Sequence, residues 1–408
     1  MGETLFLAHR VPFPPNRGDK IRSHHLLKAV ARLGPVHVGT FGETAEDMAC
    51  GDELAALART HCLIKRAKPL AQAGIEAIAT GKPVSLTAFD SPRLRAWVRE
   101  TLSRHPIDRI VVFSGQMGQY VPAAYAGRII IDLCDVDSAK FEAYADTHVW
   151  PRAVLDRREA RLLAREEERL AHLADVTVLV TDAEAALLRS RLRDPAKADV
   201  RALRNGIDAV TYDPAMTEPH PHLQDQAGPH IVFTGQMDYP PNIAAVERMA
   251  QFILPAIRAD YPSAQFHVVG RAPTAEVLRH DGQGGITVWG EVPDVKPFLA
   301  AADLVAAPLT IARGVQNKVL EAMAMARPVV LSVEAATGID AVDGEHFAVA
   351  PDDAGLIKRS REILADKAGA HAMGAAARRY VVEQQGWDAM LAPLADMMAS
   401  PQEHRDAA

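Results

Sequence analysis

Four residues within positions 308–330, PLTIARGVQNKVLEAMAMARPVV, have the types and spacing to hold an anion beside a hydroxyl-bearing group. Arg313 and Lys318 bring two cations, and Gly314 lets the backbone come close to a ligand. Glu321, about one helical turn beyond Lys318, adds a carboxylate that accepts hydrogen bonds from hydroxyls. Free amides at a helix start attract anions, so the set suits a diphosphate joined to a sugar or ribose. The same spacing also describes an ordinary i,i+3 pair, Lys318 with Glu321, on a solvated helix. The flanking pattern supplies the scaffold. Residues 303–307 read as a short buried strand, and from Gln316 the pattern turns helical, with Val319, Leu320, Met323 and the small Ala322, Ala324 and Ala326 on one face. Pro328 is expected to stop that helix and residues 328–331 to form the next strand. Such a unit puts the start of its helix at the carboxyl edge of a parallel sheet, where open α/β proteins bind ligands.

A second set of reactive types lies near the amino terminus. Residues 4–8 form an apolar strand, followed by HRVPFPPNRGDK, a loop that its prolines stiffen and Gly18 frees before a helix over 20–33. Ile21, Leu26, Leu27, Val30 and Leu33 give this helix an apolar face, and the order strand, loop, helix puts Arg17 and Gly18 at a carboxyl edge. No spaced-glycine dinucleotide fingerprint follows the strand, which counts against a nicotinamide enzyme. His24 and His25 are adjacent, so they point about 100° apart and cannot form an i,i+4 metal pair. His24 is the one taken as facing a ligand. After the strand 128–133 comes Cys134-Asp135-Val136-Asp137. Alternating carboxylates of this kind could chelate a divalent cation, making a metal-dependent transferase using Asp135 and Asp137 one alternative. The other reading has Asp137 and Ser138 capping a helix from about Ala139, with Asp135 on the acceptor side.

Further strands are expected at 36–41, 62–65, 108–114 and 176–180, with helices between them. One helix, 150–175, is long and charged, with Leu155, Leu162, Leu163, Leu170 and Leu173 on its inner face. Acidic residues interleave with its arginines, which favours a solvated face over a lipid-bound one. The turn signal Asn205-Gly206 marks a boundary, and residues 214–228 read as an exposed linker. A second alternating series follows: strands at 230–234, 265–269 and 286–289, and helices at 242–260 and 295–301. The fold class is therefore α/β, with two doubly wound parallel-sheet (Rossmann-like) domains facing a cleft.

Composition narrows the function classes. The 408 residues carry a net charge of −7, so no overall basic field points to nucleic acid. Three scattered cysteines, with no CxxC pair, fit a reducing compartment and no disulfide framework. No apolar run reaches the roughly 18–20 residues of a membrane helix, and the sequence opens on a strand rather than a basic and apolar leader. A cytoplasmic protein is expected, with peripheral contact at the inner membrane left open.

Taken in order, Asn205-Gly206-Ile207-Asp208 with Asp213-Pro214, the strand into Gly235, Phe266 to Gly270, Val288-Trp289-Gly290-Glu291-Val292, Ala302-Asp303-Leu304 and Glu321-Ala322-Met323-Ala324 resemble the retaining family-four glycosyltransferases of the GT-B fold. PFPPNRGDKIRS and VFTGQMDYPPN resemble more narrowly the sugar transferases associated with PEP-CTERM/exosortase exopolysaccharide systems. The resemblance implies residues 1–207 as an acceptor-binding domain and 208–386 as a donor-binding domain. Residues 387–408 would be a C-terminal helix and tail packing back on the first domain. It implies Glu321 on the donor ribose, Gly290 and Val292 beside the base with Arg271 near them, and Gly314, Val315 and Gly235 around the donor diphosphate. Arg17, Gly18 and Asp135 fall on the acceptor side.

Two departures stand out. Arg313 stands where relatives carry a sugar-contacting glutamate, and Gly235 to Asn242 lacks the usual basic pair. Lys318 and Arg313 are then expected to supply the charge that stabilises the departing diphosphate, with His24 a further catalytic candidate. The implied activity is a hexosyl-type transfer (EC 2.4 class) from a nucleoside-diphosphate sugar to a lipid-linked or polysaccharide hydroxyl, retaining and metal-independent, with no cofactor and no metal ligands. The alternative from another class is a catalytically inactive GT-B scaffold that binds nucleotide sugar.

Overall fold

Apolar runs that do not alternate with polar residues suit strands covered by helices on both faces. The computed structural model describes residues 2–312 and 315–399; the inner strands of its sheets follow those runs, while the short edge strands at 200–202 and 348–350 were not expected. β1 (Glu3–Ala8), β2 (Val36–Gly42), β3 (Thr60–Lys65), β4 (Ile107–Phe113), β5 (Arg128–Cys134), β6 (Val176–Leu179) and β7 (Val200–Ala202) make one parallel sheet in the order β3-β2-β1-β4-β5-β6-β7. β8 (His230–Thr234), β9 (Gln265–Val269), β10 (Ile286–Gly290), β11 (Leu304–Ala307), β12 (Val329–Ser332) and β13 (Ala348–Ala350) make a second, ordered β10-β9-β8-β11-β12-β13 and also parallel. In each sheet the order reverses beside the first strand, which creates a crevice at the carboxyl edge between β1 and β4 and between β8 and β11.

The chain divides into two compact units, residues 2–205 with 390–399, and Gly206–Ala389. The returning segment is tied into the first unit through its helix Pro393–Met398. Arg128 Nε donates to the Met397 carbonyl at 2.7 Å and Arg109 Nε to that of Met398 at 2.8 Å, while Leu394, Met397 and Met398 are buried.

Several local expectations need correction. Residues 214–228 are largely exposed, as expected, but they are not structureless. They hold a 3-10 turn, Pro214–Met216, and a short helix, Pro221–Gln224, with Leu223 buried and the His220 ring stacked on Phe298 at 4.2 Å. The Leu223 side chain and the stacked His220 ring anchor the segment to the second unit. The helix Asn317–Ala324 ends before Pro328 acts. Ala326 takes a left-handed φ of 54°, and Arg327 N–H closes on the Ala322 carbonyl at 3.0 Å, a C-cap made without glycine.

The helix Arg152–Leu173 turns Leu163 and Leu170 inward as expected, and turns carboxylates inward beside them. Asp156, Glu159 and Glu167 are buried, whereas Leu155 is exposed. Glu159 accepts from the amides of Val84 and Ser85 at 2.9 and 3.0 Å, where the helix Val84–Ala88 begins. Glu167 accepts from Ser138 N–H at 2.8 Å, and Glu184 from Val136 N–H at 2.7 Å. The helix Asp137–Thr147 is thus capped from its neighbours, and Asp137 and Ser138 do not cap it themselves. Buried carboxylates at helix N-termini satisfy orphan amides and complement the positive end of the dipole.

Candidate functional site

The sharpest constellation lies in the second unit, at the carboxyl edge between β8 and β11. Two glycines let its backbone close up. A Cβ on Gly270, after β9, would sit 1.6 Å from the Gly235 carbonyl oxygen, and one on Gly235 would sit 2.9 Å from Lys318 Nζ. Backbone blocks a side chain at Gly270, and one at Gly235 would displace Asn242 or Lys318. They border a hollow of about 700 Å³ whose walls also include Tyr212, Asn242, Arg271, Val292, Val315, Lys318 and Glu321. The expected residues Gly235, Arg271, Val292, Val315, Lys318 and Glu321 are therefore brought together. Gly290 stands just behind, its carbonyl accepting from Gly270 N–H at 2.8 Å. Arg313 and Gly314 lie outside the described residues.

Lys318 is not paired with Glu321. Its Nζ donates to Asn242 Oδ1 at 2.5 Å and lies 4.4 Å from the centre of the Phe233 ring. Among the described residues no carboxylate lies within ion-pair distance of it. Asn242 is fixed in turn by donating Nδ2 to the Gln236 carbonyl at 2.8 Å, which leaves its oxygen for Lys318. Burial pushes the Lys318 ammonium down to about 8, and the neighbouring Glu321 charge only partly opposes this. Burial likewise raises the Glu321 carboxyl, against the hydrogen bond of the Tyr212 phenol and the Lys318 charge. Tyr212 is placed by Arg378, whose Nη1 donates both to the Tyr212 carbonyl at 2.7 Å and to that of Ala324 at 2.5 Å. This bond anchors the Tyr212 segment to the end of the helix that carries Lys318 and Glu321.

Sequence reasoning did not single out Tyr212 or Asn242 as site residues. Asn242 did carry a signal, being an amide in the first turn of a helix opened by Pro240 and Pro241. Arg271 is exposed and donates to Gln236 Oε1 at 2.9 Å, at the rim.

In the first unit the candidates fall at separate places. Arg17 is exposed and pairs with Asp19 at 2.8 Å, and Gly18 opens the helix Gly18–Leu33 with free space beside it. His24 packs edge-on against Phe13 with ring centres 4.9 Å apart. Asp135 pairs with Lys140 at 2.8 Å, and the same ammonium reaches Asp137 at 3.2 Å, so a lysine already bridges the two carboxylates that could chelate a cation. Sequence reasoning passed over His9, which directly follows β1. Its ring is buried, 5.7 Å from both Phe89 and Phe113, with Nε2 3.3 Å from Asp19. Burial lowers its pKa, against the bond to Asp19.

Residues 228–366 match the family profile described as glycosyl transferases group 1, a span that includes most of the hollow. No curated protein sequence matches the chain. Among solved structures, the sucrose-phosphate synthase of Thermosynechococcus elongatus is 17% identical and aligns over 100% of both chains with a TM-score of 0.58. HepE of Anabaena, in complex with UDP and glucose, is 15% identical over 98% of this chain and 100% of its own, with a TM-score of 0.59. The fold is that of the GT-B glycosyltransferases. WaaG, a glycosyltransferase involved in lipopolysaccharide biosynthesis, shares this GT-B architecture at 19% identity over 98% of this chain and 100% of its own, with a TM-score of 0.55.

Proposed function

We propose that this chain is a glycosyltransferase that binds a nucleoside-diphosphate sugar in the second unit and transfers the sugar to an acceptor hydroxyl. The observation that carries the reading is Lys318. A half-buried cation held against an aromatic face, with an amide oxygen as partner and, among the described residues, no carboxylate within ion-pair distance, is costly until an anion arrives. A diphosphate meets that need at the start of the helix Asn317–Ala324, where free amides add to the field. Breaking a glycosyl–phosphate bond places charge on the leaving oxygens, and Lys318 is positioned to neutralise it. Glu321, oriented by Tyr212, accepts from the ribose hydroxyls. Val292 and Arg271 flank the base. Retention at the anomeric carbon and independence from metal belong to the same proposal and follow from the resemblance in sequence.

The proposed acceptor is a lipid-linked or polysaccharide glycan of exopolysaccharide type, engaged by the first unit. Support comes from a surface on that unit where Val149 and Trp150 are about four-fifths exposed beside Val154, Leu155, Arg152 and Arg157, a mix suited to an anionic lipid face. No helix among the described residues is long and apolar enough to cross a membrane.

The test is a thermal-shift panel of UDP-, GDP-, ADP- and dTDP-linked sugars, with and without EDTA, on wild type and Glu321→Ala. A ligand that binds only the folded chain raises its melting temperature by mass action. A donor-specific increment that persists in EDTA and is lost in the variant supports the site and selects the base. No increment from any donor overturns the reading.

A further inference from the structure

We propose that Glu3, His37 and His105 form a zinc-binding site at the amino edge of the first sheet, remote from carboxyl-edge chemistry. Neighbouring strands deliver them. Glu3 opens β1, His37 is the second residue of β2, and His105 caps the helix Pro92–Arg104 just before β4. His37 Nε2 lies 2.7 Å and His105 Nδ1 3.5 Å from the same oxygen, Glu3 Oε2, and all three ligand atoms fall within 4.8 Å of one another. A tetrahedral zinc ion with arms of about 2.0–2.1 Å spaces its ligands about 3.3 Å apart. Entry of the ion therefore asks the His37–Glu3 contact to open by roughly 0.6 Å. Two imidazoles and one carboxylate form a donor set that suits zinc, and a water completes the fourth position on the side where His105 is a quarter exposed.

The surrounding groups are arranged as supports of a ligand set. Thr60, at the start of β3, holds His37 Nδ1 at 2.7 Å, which presents Nε2 to the site. Arg59 bonds the other oxygen of Glu3, Oε1, leaving Oε2 to face both histidines. The Arg59 charge opposes a cation, but its side chain is 56% exposed and free to turn toward solvent. Nothing in the transfer chemistry uses this cluster. An ion here would pin β1, β2 and the entry to β4 together.

The experiment starts from chelator-treated full-length protein. It is titrated with zinc, and bound metal is measured by mass spectrometry after gel filtration. The expected result is one equivalent of zinc and a melting temperature raised by several degrees. Cobalt(II) in the same protein should give the visible absorption of a four-coordinate site. His105→Ala, at a partly exposed position, should keep the metal-free circular dichroism spectrum while losing the cobalt bands and at least tenfold in zinc affinity. Thr60→Val keeps every ligand and should weaken binding about tenfold through loss of ring orientation. A wild type that retains no stoichiometric zinc overturns the proposal. So does zinc binding that His105→Ala leaves unchanged, since that would place the metal on other histidines.

Discussion

Lys318 Nζ donates to Asn242 Oδ1 at 2.5 Å, joining the helix that follows β11 to the one that follows β8. These are the two helices flanking the point where the second sheet reverses its strand order. One hydrogen bond therefore sets the position of the cation across the crevice, and Phe233 beneath it keeps the ammonium from falling back into the sheet.

Replacing Lys318 should separate stability from activity. Burial holds its pKa at about 8, so at any lower pH the folded chain carries the cost of a desolvated charge. Lys318→Met should therefore melt higher than wild type, by on the order of 1–3 kcal/mol, while sugar transfer falls by at least about a hundredfold. Calorimetry beside steady-state kinetics reads both; unchanged turnover removes Lys318 from the mechanism.

The same group predicts a pH limb. Donor binding needs the ammonium, so kcat/KM should fall as the pH rises through about 8. A bound diphosphate favours the charged form, so the limb in kcat should lie higher than the limb in kcat/KM. Lys318→Arg, which stays protonated, should flatten it.

Glu321→Gln should weaken nucleotide binding by about tenfold or more, since a charged acceptor is worth roughly 1.5–3 kcal/mol. Tyr212→Phe should cost less, because it removes an orienting bond and leaves the carboxylate. Isothermal titration with the nucleoside diphosphate orders the two, and a reversed order would make Tyr212 the direct contact.

Gly270→Ala tests the close approach behind the site. Its Cβ would lie 1.6 Å from the Gly235 carbonyl oxygen, a backbone atom that cannot swing away. We expect a loss of about 3 kcal/mol or more, seen as a lower denaturant midpoint, and weaker donor binding in whatever still folds.

Glu167 predicts a stability profile in the first unit. Burial pushes its carboxyl up to about 7, against the hydrogen bonds from Ser138. A carboxyl whose folded pKa lies above its unfolded value weakens the fold when ionised. Wild type should thus gain stability as the pH falls from about 7 toward about 4.5, and Glu167→Gln should abolish that part of the slope. An unchanged slope in urea titrations across this window would assign it to other groups.

Strands were readable in the sequence because burial on both faces writes itself as uninterrupted apolar runs, as in 108–113 and 230–234. Helix ends were less so. The left-handed turn at Ala326 depends on a contact far along the chain, since Gly374 packs so closely that a Cβ there would sit 2.1 Å from the Ala326 carbonyl oxygen. Lys318 and Glu321 were legible from local spacing. Asn242 and Tyr212 were not, because their roles come from partners supplied by other segments, with Asn242 76 positions from Lys318. The inward carboxylates of Arg152–Leu173 were hidden for the same reason: only the neighbouring helix starts reveal what they cap.

The buried residues Leu394, Met397 and Met398 belong to the unit that residues 2–205 begin. During synthesis the first unit emerges from the ribosome well before this segment exists, while the second is made whole in between. The domain translated first is therefore the one finished last. Until then the guanidinium groups of Arg109 and Arg128 lack the carbonyl partners that later secure them, and a nascent chain halted before residue 390 would carry an open seam where a chaperone can bind.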